Sequence, residues 1–168
     1  ISDNEKEEET AYLSLNMAVG DSLDKELYVG FQIVDYALCT APGAPLKQAL
    51  LDKNIGRDVY STYDNGIKQP SFSIVAKDTS MDKEEAFLTT IQDVLTDICQ
   101  NGFDHKALLA GINYYEFKYR EADFGSAPKG LMYGLQILDS WLYDDTKPFV
   151  HIEANETFKK LREKVEEG

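Results

Sequence analysis

Hydrophobic and polar residues alternate along three short segments, 12–19, 58–63 and 71–77. A period of two residues is typical of a strand with one buried face, so each segment predicts a half-buried strand. In the first segment the apolar side consists of Leu13, Leu15, Met17 and Val19. Asn65-Gly66, a strong turn signal, lies between the other two segments, which are therefore predicted to form an antiparallel hairpin.

Apolar residues spaced three and four apart predict helices over most of the remaining chain. The first begins near Leu23, where Ser22 can cap it, and ends near Thr40 because Pro42 cannot continue it. Further helices are predicted over 46–53, from 81 to 101, after 104, after 128 and over 155–167. The stripes include Leu27, Phe31, Val34 and Leu38; Phe87, Ile91 and Ile98; Leu108, Ile112 and Tyr119; and Leu131, Leu135, Leu138 and Leu142 beside Trp141.

The predicted element order is therefore β-α-α-β-β-α-α-α-α. Three strands are too few to close a barrel, so they are expected to lie in one small mixed or antiparallel sheet with helices on one face. This predicts the α+β class, as a two-layer sandwich. Residues 1–10 are rich in acids and are predicted to be a linker remnant, and 11–168 a single domain. Because the chain begins at Ile1 rather than methionine, we expect a fragment of a larger chain.

Charge and composition exclude several classes of function. The chain has 30 acidic and 17 basic residues, and its net charge of −13 repels a phosphate backbone, so nucleic-acid binding is not expected. No apolar run approaches the ~20 residues that a membrane helix needs, and no signal peptide opens the sequence. Two cysteines do not make a disulfide framework, so a reducing compartment is expected, without membrane attachment or secretion.

Residues that could carry out catalysis are few. His105 and His151 are far apart, and neither has a second histidine one helical turn away, as a zinc peptidase helix requires. Both are expected to be ordinary exposed residues. Cys39 and Cys99 lie among apolar helix positions and are expected to be buried thiols. We therefore predict that this segment has no catalytic, cofactor-binding or metal-binding residue.

Two short motifs are interpreted as coincidences. Asp123-Phe124-Gly125 matches the metal-binding tripeptide of kinases, but the sequence has no glycine-rich phosphate loop. Asn155-Glu156-Thr157 is a glycosylation sequon, yet no secretory signal accompanies it. Neither motif changes the functional interpretation.

Aromatic residues are unusually placed in one predicted helix, and glycines along residues 124–142. Rings on more than one face of a helix predict a position between layers, with some rings presented to another domain. Glycines within a helical segment predict close approach of backbones or a bend. The aromatic residues are Tyr114, Tyr115, Phe117 and Tyr119, and the glycines are Gly125, Gly130 and Gly134.

A series of motifs extends along the chain. They are Cys39-Thr40-Ala41-Pro42-Gly43-Ala44-Pro45, Asn54-Ile55-Gly56, Gln69-Pro70-Ser71-Phe72, Arg120-Glu121-Ala122-Asp123-Phe124-Gly125, Pro128-Lys129-Gly130-Leu131 and Asp139-Ser140-Trp141-Leu142-Tyr143. Together they resemble the presequence-protease subfamily of the pitrilysin/insulinase-type zinc metallopeptidases. The resemblance covers residues 11–168 and corresponds to the non-catalytic second domain, a LuxS/MPP-like metallopeptidase module.

The resemblance implies a large zinc endopeptidase that encloses a chamber and degrades short unstructured peptides. In this family the zinc-binding His-x-x-Glu-His motif belongs to the first domain, so zinc is expected in the parent protein and no cofactor in this segment. The segment would then be an inactive, structural and chamber-forming domain. Its expected partners are other domains of the same polypeptide and peptide substrates, which would be basic if its acids line the chamber.

Two alternatives stay open at this stage. A free-standing acidic protein–protein interaction domain predicts a stop codon soon after Gly168, whereas the peptidase hypothesis predicts a longer reading frame with His-x-x-Glu-His upstream. An independent hydrolase predicts stoichiometric zinc or turnover in the purified segment, and it lacks a recognisable site in the sequence.

Overall fold

The computed structural model describes residues 10–122 and 124–167, which form three strands and six α-helices in the predicted order. The strands are β1 (Ala11–Ala18), β2 (Asp58–Asp64) and β3 (Ser71–Thr79). The helices are α1 (Lys25–Asp35), α2 (Pro45–Asp52), α3 (Glu84–Asn101), α4 (His105–Glu121), α5 (Lys129–Trp141) and α6 (Asn155–Glu167). A π-helix (Tyr36–Thr40) continues α1, and a 3-10 turn (Met81–Lys83) precedes α3. The predicted lead-in, 1–10, lies outside the described residues except for Thr10.

The three strands form one antiparallel sheet in the order β1-β3-β2, so the predicted hairpin is confirmed. The register places Met17 opposite Phe72 and Leu13 opposite Ala76, which brings the apolar side chains of neighbouring strands to one face. Ser14, Asn16 and other polar residues of the opposite face are exposed. The α+β class, with helices on one face of a small sheet, is confirmed.

The first hydrophobic core lies between this sheet and α2, α3 and the π-helix. Leu46 and Leu50 of α2 are fully buried, because they are one turn apart on the same side. Phe87 and Ile91 of α3 are buried in the same way, as their spacing predicts. The remaining buried members are Leu13, Leu38, Cys39, Ile55, Val59, Phe72, Ile74 and Ala76.

Helix α1 is apolar on two sides and takes part in two cores. Phe31 and Val34 pack against the first core, with the Phe31 ring 5.2 Å from that of Phe72. The other side of α1 forms a second core with α4 and α6. Its buried residues are Tyr28, Val29, Ile33, Ile112, Ala154 and Phe158. The predicted stripe of α1 therefore accounts for only one of its two packed sides.

The close contact of α4 with α1 depends on Gly111. A Cβ atom at this position would lie 3.1 Å from Cδ1 of Tyr36 and 3.2 Å from Cγ2 of Ile33, closer than ordinary van der Waals contact. The predicted close approach of backbones at Gly130 and Gly134 is not observed, because a Cβ atom there would meet nothing within 4 Å among the described residues.

The N-cap of α1 differs from the prediction. Asp24, not Ser22, caps the helix, since its carboxylate accepts hydrogen bonds from the amides of Glu26 at 3.1 Å and Leu27 at 3.0 Å. Ser22 is buried and lies before the helix begins, and its own amide donates to the carbonyl of Lys68. Both residue types are favourable caps, so the sequence alone does not distinguish them.

Helix α5 forms as predicted, but its apolar stripe does not join either core. Leu131, Leu135, Leu138 and Trp141 are each between 45% and 57% exposed. The opposite side of α5 faces the protein, because it contributes residues such as Met132 to a cleft shared with α1 and α4. Periodicity predicts that a helix is amphipathic, but it does not identify what covers the apolar side.

The second core provides a direct test of this packing. Phe158→Ala removes a fully buried ring and is expected to lower the free energy of unfolding by about 3–5 kcal/mol. Phe117→Ala, the matched control at an exposed position of α4, should change it by about 0.5 kcal/mol or less. Urea denaturation measures both values, and equal losses in the two variants would contradict the assignment of this core.

Candidate functional site

The two histidines occupy different environments. His105 is exposed in the first turn of α4, where the sequence predicts an ordinary surface residue. The prediction for His151 is wrong, because this residue is only 1% exposed. Its Nε2 lies 2.7 Å from the carbonyl oxygen of Ser22, and its ring stacks on Tyr28 at 4.1 Å. His151 lies outside any periodic segment, so the sequence contains no signal for its burial.

The two cysteines also differ from each other. Cys39 is buried in the first core, and burial raises the pKa of its thiol to about 11, which disfavours the reactive thiolate. Cys99 is exposed, so the prediction that it is buried is wrong. The buried residues of α3 end at Ile91, and the last turns of this helix extend beyond the packed side.

Candidate metal ligands do not converge in the described part of the chain. Among residues 10–122 and 124–167, no group of three or more histidine, cysteine, aspartate or glutamate side chains could hold a metal ion. The Asp-Phe-Gly motif cannot be assessed as a whole, because Asp123 lies outside the described residues. Asn155, of the sequon, is the first residue of α6.

A cleft of about 290 Å³ lies between α1, α4 and α5. Gln32 of α1 lies at its base, where Nε2 donates to the phenol oxygen of Tyr119 at 3.3 Å and to the carbonyl of Tyr28 at 3.2 Å. The ring of Tyr133 contacts that of Phe124 edge-on at 5.5 Å. We call this cavity the tyrosine cleft; its walls also include Asn65, Tyr115, Lys118, Met132, Gln136 and Ile152.

Burial sets the protonation state of the cleft phenols. It raises the pKa of Tyr115 to about 12 and raises the pKa of Tyr28 and of Tyr119 above the ordinary value. These phenols therefore keep their protons near neutral pH and are hydrogen-bond donors rather than bases. Lys118 is the cation in the described walls of the cleft, and none of those wall residues is acidic. The arrangement is suited to contacting a side chain or peptide group, not to proton-transfer catalysis.

A larger and more apolar groove, about 580 Å³, lies between α1, α4 and α6. Leu27, Phe31 and Leu161 line it, and Asp24 and Glu26 lie at its rim. Lys164 of α6 forms an ion pair with Glu26 across this rim. The groove has apolar walls with charge only at the edge, so it is suited to apolar contacts.

The tyrosine cleft was not identified from the sequence. Tyr28 and Gln32 are one helical turn apart on the side of α1 away from the predicted stripe, and this spacing is the signal that could have identified it. Tyr115 and Tyr119 were identified only as part of an aromatic helix. Ile112 of this helix is buried and Phe117 is exposed, so the described residues cover α4 on one side and its position between layers stays a prediction.

No helix in the described residues is both long enough and apolar enough to cross a membrane.

Comparison with known proteins shows a match of residues 1–114 to the family model of the peptidase M16 inactive domain. The chain is 40% identical over 162 residues to Protein HypA of Clostridium perfringens and 33% identical over 148 residues to presequence protease 1, chloroplastic/mitochondrial, of Arabidopsis thaliana. These alignments cover 96% and 87% of this chain but only 16% and 13% of those relatives.

A solved structure shares the fold at low sequence identity. It is the crystal structure of the inactive peptidase domain of a protein described as a zinc protease, from Bordetella parapertussis. The TM-score is 0.69 at 13% identity, and the alignment covers 98% of this chain and 80% of that one. At this identity the likeness concerns the fold alone.

The raised pKa values of the cleft phenols predict how stability depends on pH. The folded state holds these protons more tightly than the unfolded chain, whose phenols have the ordinary value of 10.0. The contribution is therefore complete below pH 10.0 and is lost as pH rises toward about 12. In a titration followed by tyrosinate absorbance, a fraction of the tyrosines should ionise only at the higher pH at which circular dichroism shows that the protein unfolds. Ionisation of every phenol in one step near 10.0, with the fold intact, would contradict this.

Proposed function

Because the chain belongs to the M16 peptidase family, as its inactive domain, we propose that it is a structural, chamber-forming domain of a larger zinc-dependent metalloendopeptidase. Membership confirms the resemblance to pitrilysin/insulinase-type metallopeptidases. The observation that carries the proposal is the family match over residues 1–114. The shared fold with an inactive peptidase domain supports it, since the alignment includes almost the whole chain.

The proposal assigns different roles to different parts of the parent protein. Residues 11–168 form one non-catalytic domain, with residues 1–10 as the remnant of a linker. Zinc and the catalytic residues belong to another domain of the same polypeptide, so this domain supplies neither a metal ligand nor a catalytic group. The relatives support this division because they are several times longer than the aligned segment.

Short unstructured peptides are the proposed substrates of the parent protein. One relative, from Arabidopsis, is a presequence protease of chloroplasts and mitochondria. Organelle targeting sequences are typically basic, and a chain with a net charge of −13 attracts cations over roughly 30 Å at an ionic strength of about 0.01 M. The corresponding compartment is an organelle matrix or the bacterial cytoplasm.

The packing of the domain is suited to a wall that resists deformation. Helix α1 is held on one side by the sheet and on the other by α4 and α6, so the layers cannot separate without exposing a core. A chamber that excludes folded proteins needs such a rigid boundary. The polar face of the sheet and the acidic surfaces of the helices are both free to face the enclosed space.

Metal content and turnover test the division of roles. The purified 168-residue chain is expected to bind no zinc and cleave no peptide, whereas the full-length parent protein should retain zinc and cleave an unstructured peptide. Metal analysis after dialysis and a cleavage assay measure the two properties. Stoichiometric zinc or turnover in the 168-residue chain alone would contradict the proposal and favour an independent hydrolase.

The charge of the domain can be tested in the full-length protein with two matched pairs of substitutions. Asp93→Asn with Asp97→Asn neutralises exposed acids of α3, and Glu163→Gln with Glu166→Gln neutralises exposed acids of α6. Neutralising the pair of acids that faces the chamber should raise KM for basic peptides roughly two- to tenfold at low salt. KM for neutral peptides should stay unchanged.

The other pair is the internal control, because it removes the same charge from a different helix. Kinetics with a basic and a neutral peptide of equal length, at low and high salt, measure the difference. If neither pair changes KM for the basic peptide, attraction by this domain is excluded.

A further inference from the structure

Helix α5 presents a continuous uncharged face to solvent. At 100° per residue, five large apolar side chains, four within the helix and one at its C-cap, fall on one side, together with Gly130 and Gly134. The side chains are Leu131, Leu135, Leu138, Trp141 and Leu142, with exposures of 57%, 46%, 45%, 50% and 73%. We call this surface the leucine face. Solvent-exposed helix faces of monomeric proteins are normally polar, so such a face marks an interaction site.

The inner side of α5 is accounted for by contacts within the chain. Met132, Tyr133 and Gln136 line the tyrosine cleft, and Ser140 is buried, where its hydroxyl donates to the carbonyl of Pro148 at 3.1 Å. The contacts of these side chains, which include both polar and apolar residues, therefore fix the orientation of α5. The exposure of the leucine face therefore does not result from a helix that is turned over, because the other side of α5 is the one that contacts the rest of the described chain.

The two glycines indicate the shape of the missing partner. A Cβ atom at Gly130 or at Gly134 would meet nothing within 4 Å among the described residues, so neither glycine is needed for packing there. They are one helical turn apart, at the edge of the leucine face in helical projection. Glycines in this arrangement allow the backbone of another helix to approach closely while the larger side chains interlock around it.

Charge and length identify the source of that partner. A second copy of the chain would bring a second net charge of −13 toward the first, which opposes association through a face that contains no compensating cation. By contrast, 84% of the sequence of the 40%-identical relative lies outside the aligned segment, because the alignment covers 16% of it. A partner within the same polypeptide is present at high effective concentration.

We propose that the leucine face is the docking surface for an apolar helix from another part of the same polypeptide. This inference rests on the proposed function only in that it requires a longer parent chain. Beyond the proposed function, the inference names the surface by which the domain is attached to the rest of the polypeptide and the kind of element that covers this surface. Docking on α5 also holds the outer wall of the tyrosine cleft, since Met132 and Gln136 belong to the same helix.

Cysteine accessibility in the full-length parent protein tests the proposal. Leu135→Cys is a mild change at a position of the leucine face, and Met81→Cys is the control at an exposed residue outside it, 63% exposed in the 3-10 turn. Labelling of each thiol with a maleimide is followed by mass spectrometry of the corresponding peptide. The thiol introduced by Leu135→Cys is expected to react at least roughly tenfold more slowly than that of Met81→Cys. The docked helix must first detach from the leucine face before the reagent can reach position 135.

A short cysteine-to-lysine cross-linker then identifies what covers the face. A link from position 135 to a residue of the same polypeptide outside the 168 residues supports the proposal. Equal labelling of the two thiols overturns it. Links between copies, or protection that disappears on dilution, also overturn it and assign the face to self-association.

Zinc content and peptide turnover of the same preparations separate this inference from the proposed function. Retained zinc and turnover with an unprotected thiol would disprove the docking surface and leave the proposed function intact. A protected thiol in a protein with neither zinc nor turnover would disprove the proposed function and leave the docking surface.

Discussion

The two-sided burial of α1 is the constraint on which the rest of the structure depends. Phe31 packs toward Phe72 of the sheet, while Ile33 packs toward Ile112 and Phe158 of the outer helices. A helix with apolar residues on both sides is stable in water only when both sides are covered. The sheet with α2 and α3, and the pair α4 and α6, are therefore joined through one element, and each layer limits the movement of the other.

Local sequence patterns predict much of this arrangement. The remaining parts could not be predicted from local patterns, and the reason is physical. Leu13 and Met17 reveal a strand with one buried side, and Phe87 and Ile91 a packed helix, because the periodicity of a single element records which side is buried. The burial of His151 depends instead on a contact with Ser22, which is distant in sequence. The tyrosine cleft is likewise formed by three helices, so the one-turn spacing of Tyr28 and Gln32 records only the part that α1 contributes.

The leucine face shows the opposite situation: the spacing of its leucines predicts the helix correctly, but no described residue covers the face. The same leucine spacing that predicts α5 would fit a buried stripe, yet Leu142 is 73% exposed. Family membership gives this observation a context, since the aligned segment is a small part of longer relatives. Burial raises the pKa of the Cys39 thiol and of the Tyr115 phenol, so both keep their protons near neutral pH, and His151 is buried in the interior.

The central proposal is that these residues support a peptidase whose metal is held elsewhere in the same polypeptide. Anomalous diffraction at the zinc absorption edge, from crystals of the full-length parent protein, locates the metal directly. The account predicts a zinc peak whose ligands all lie outside the 168 residues, in a domain that contains His-x-x-Glu-His. A zinc peak coordinated by His105, His151 or a carboxylate of this chain would contradict it.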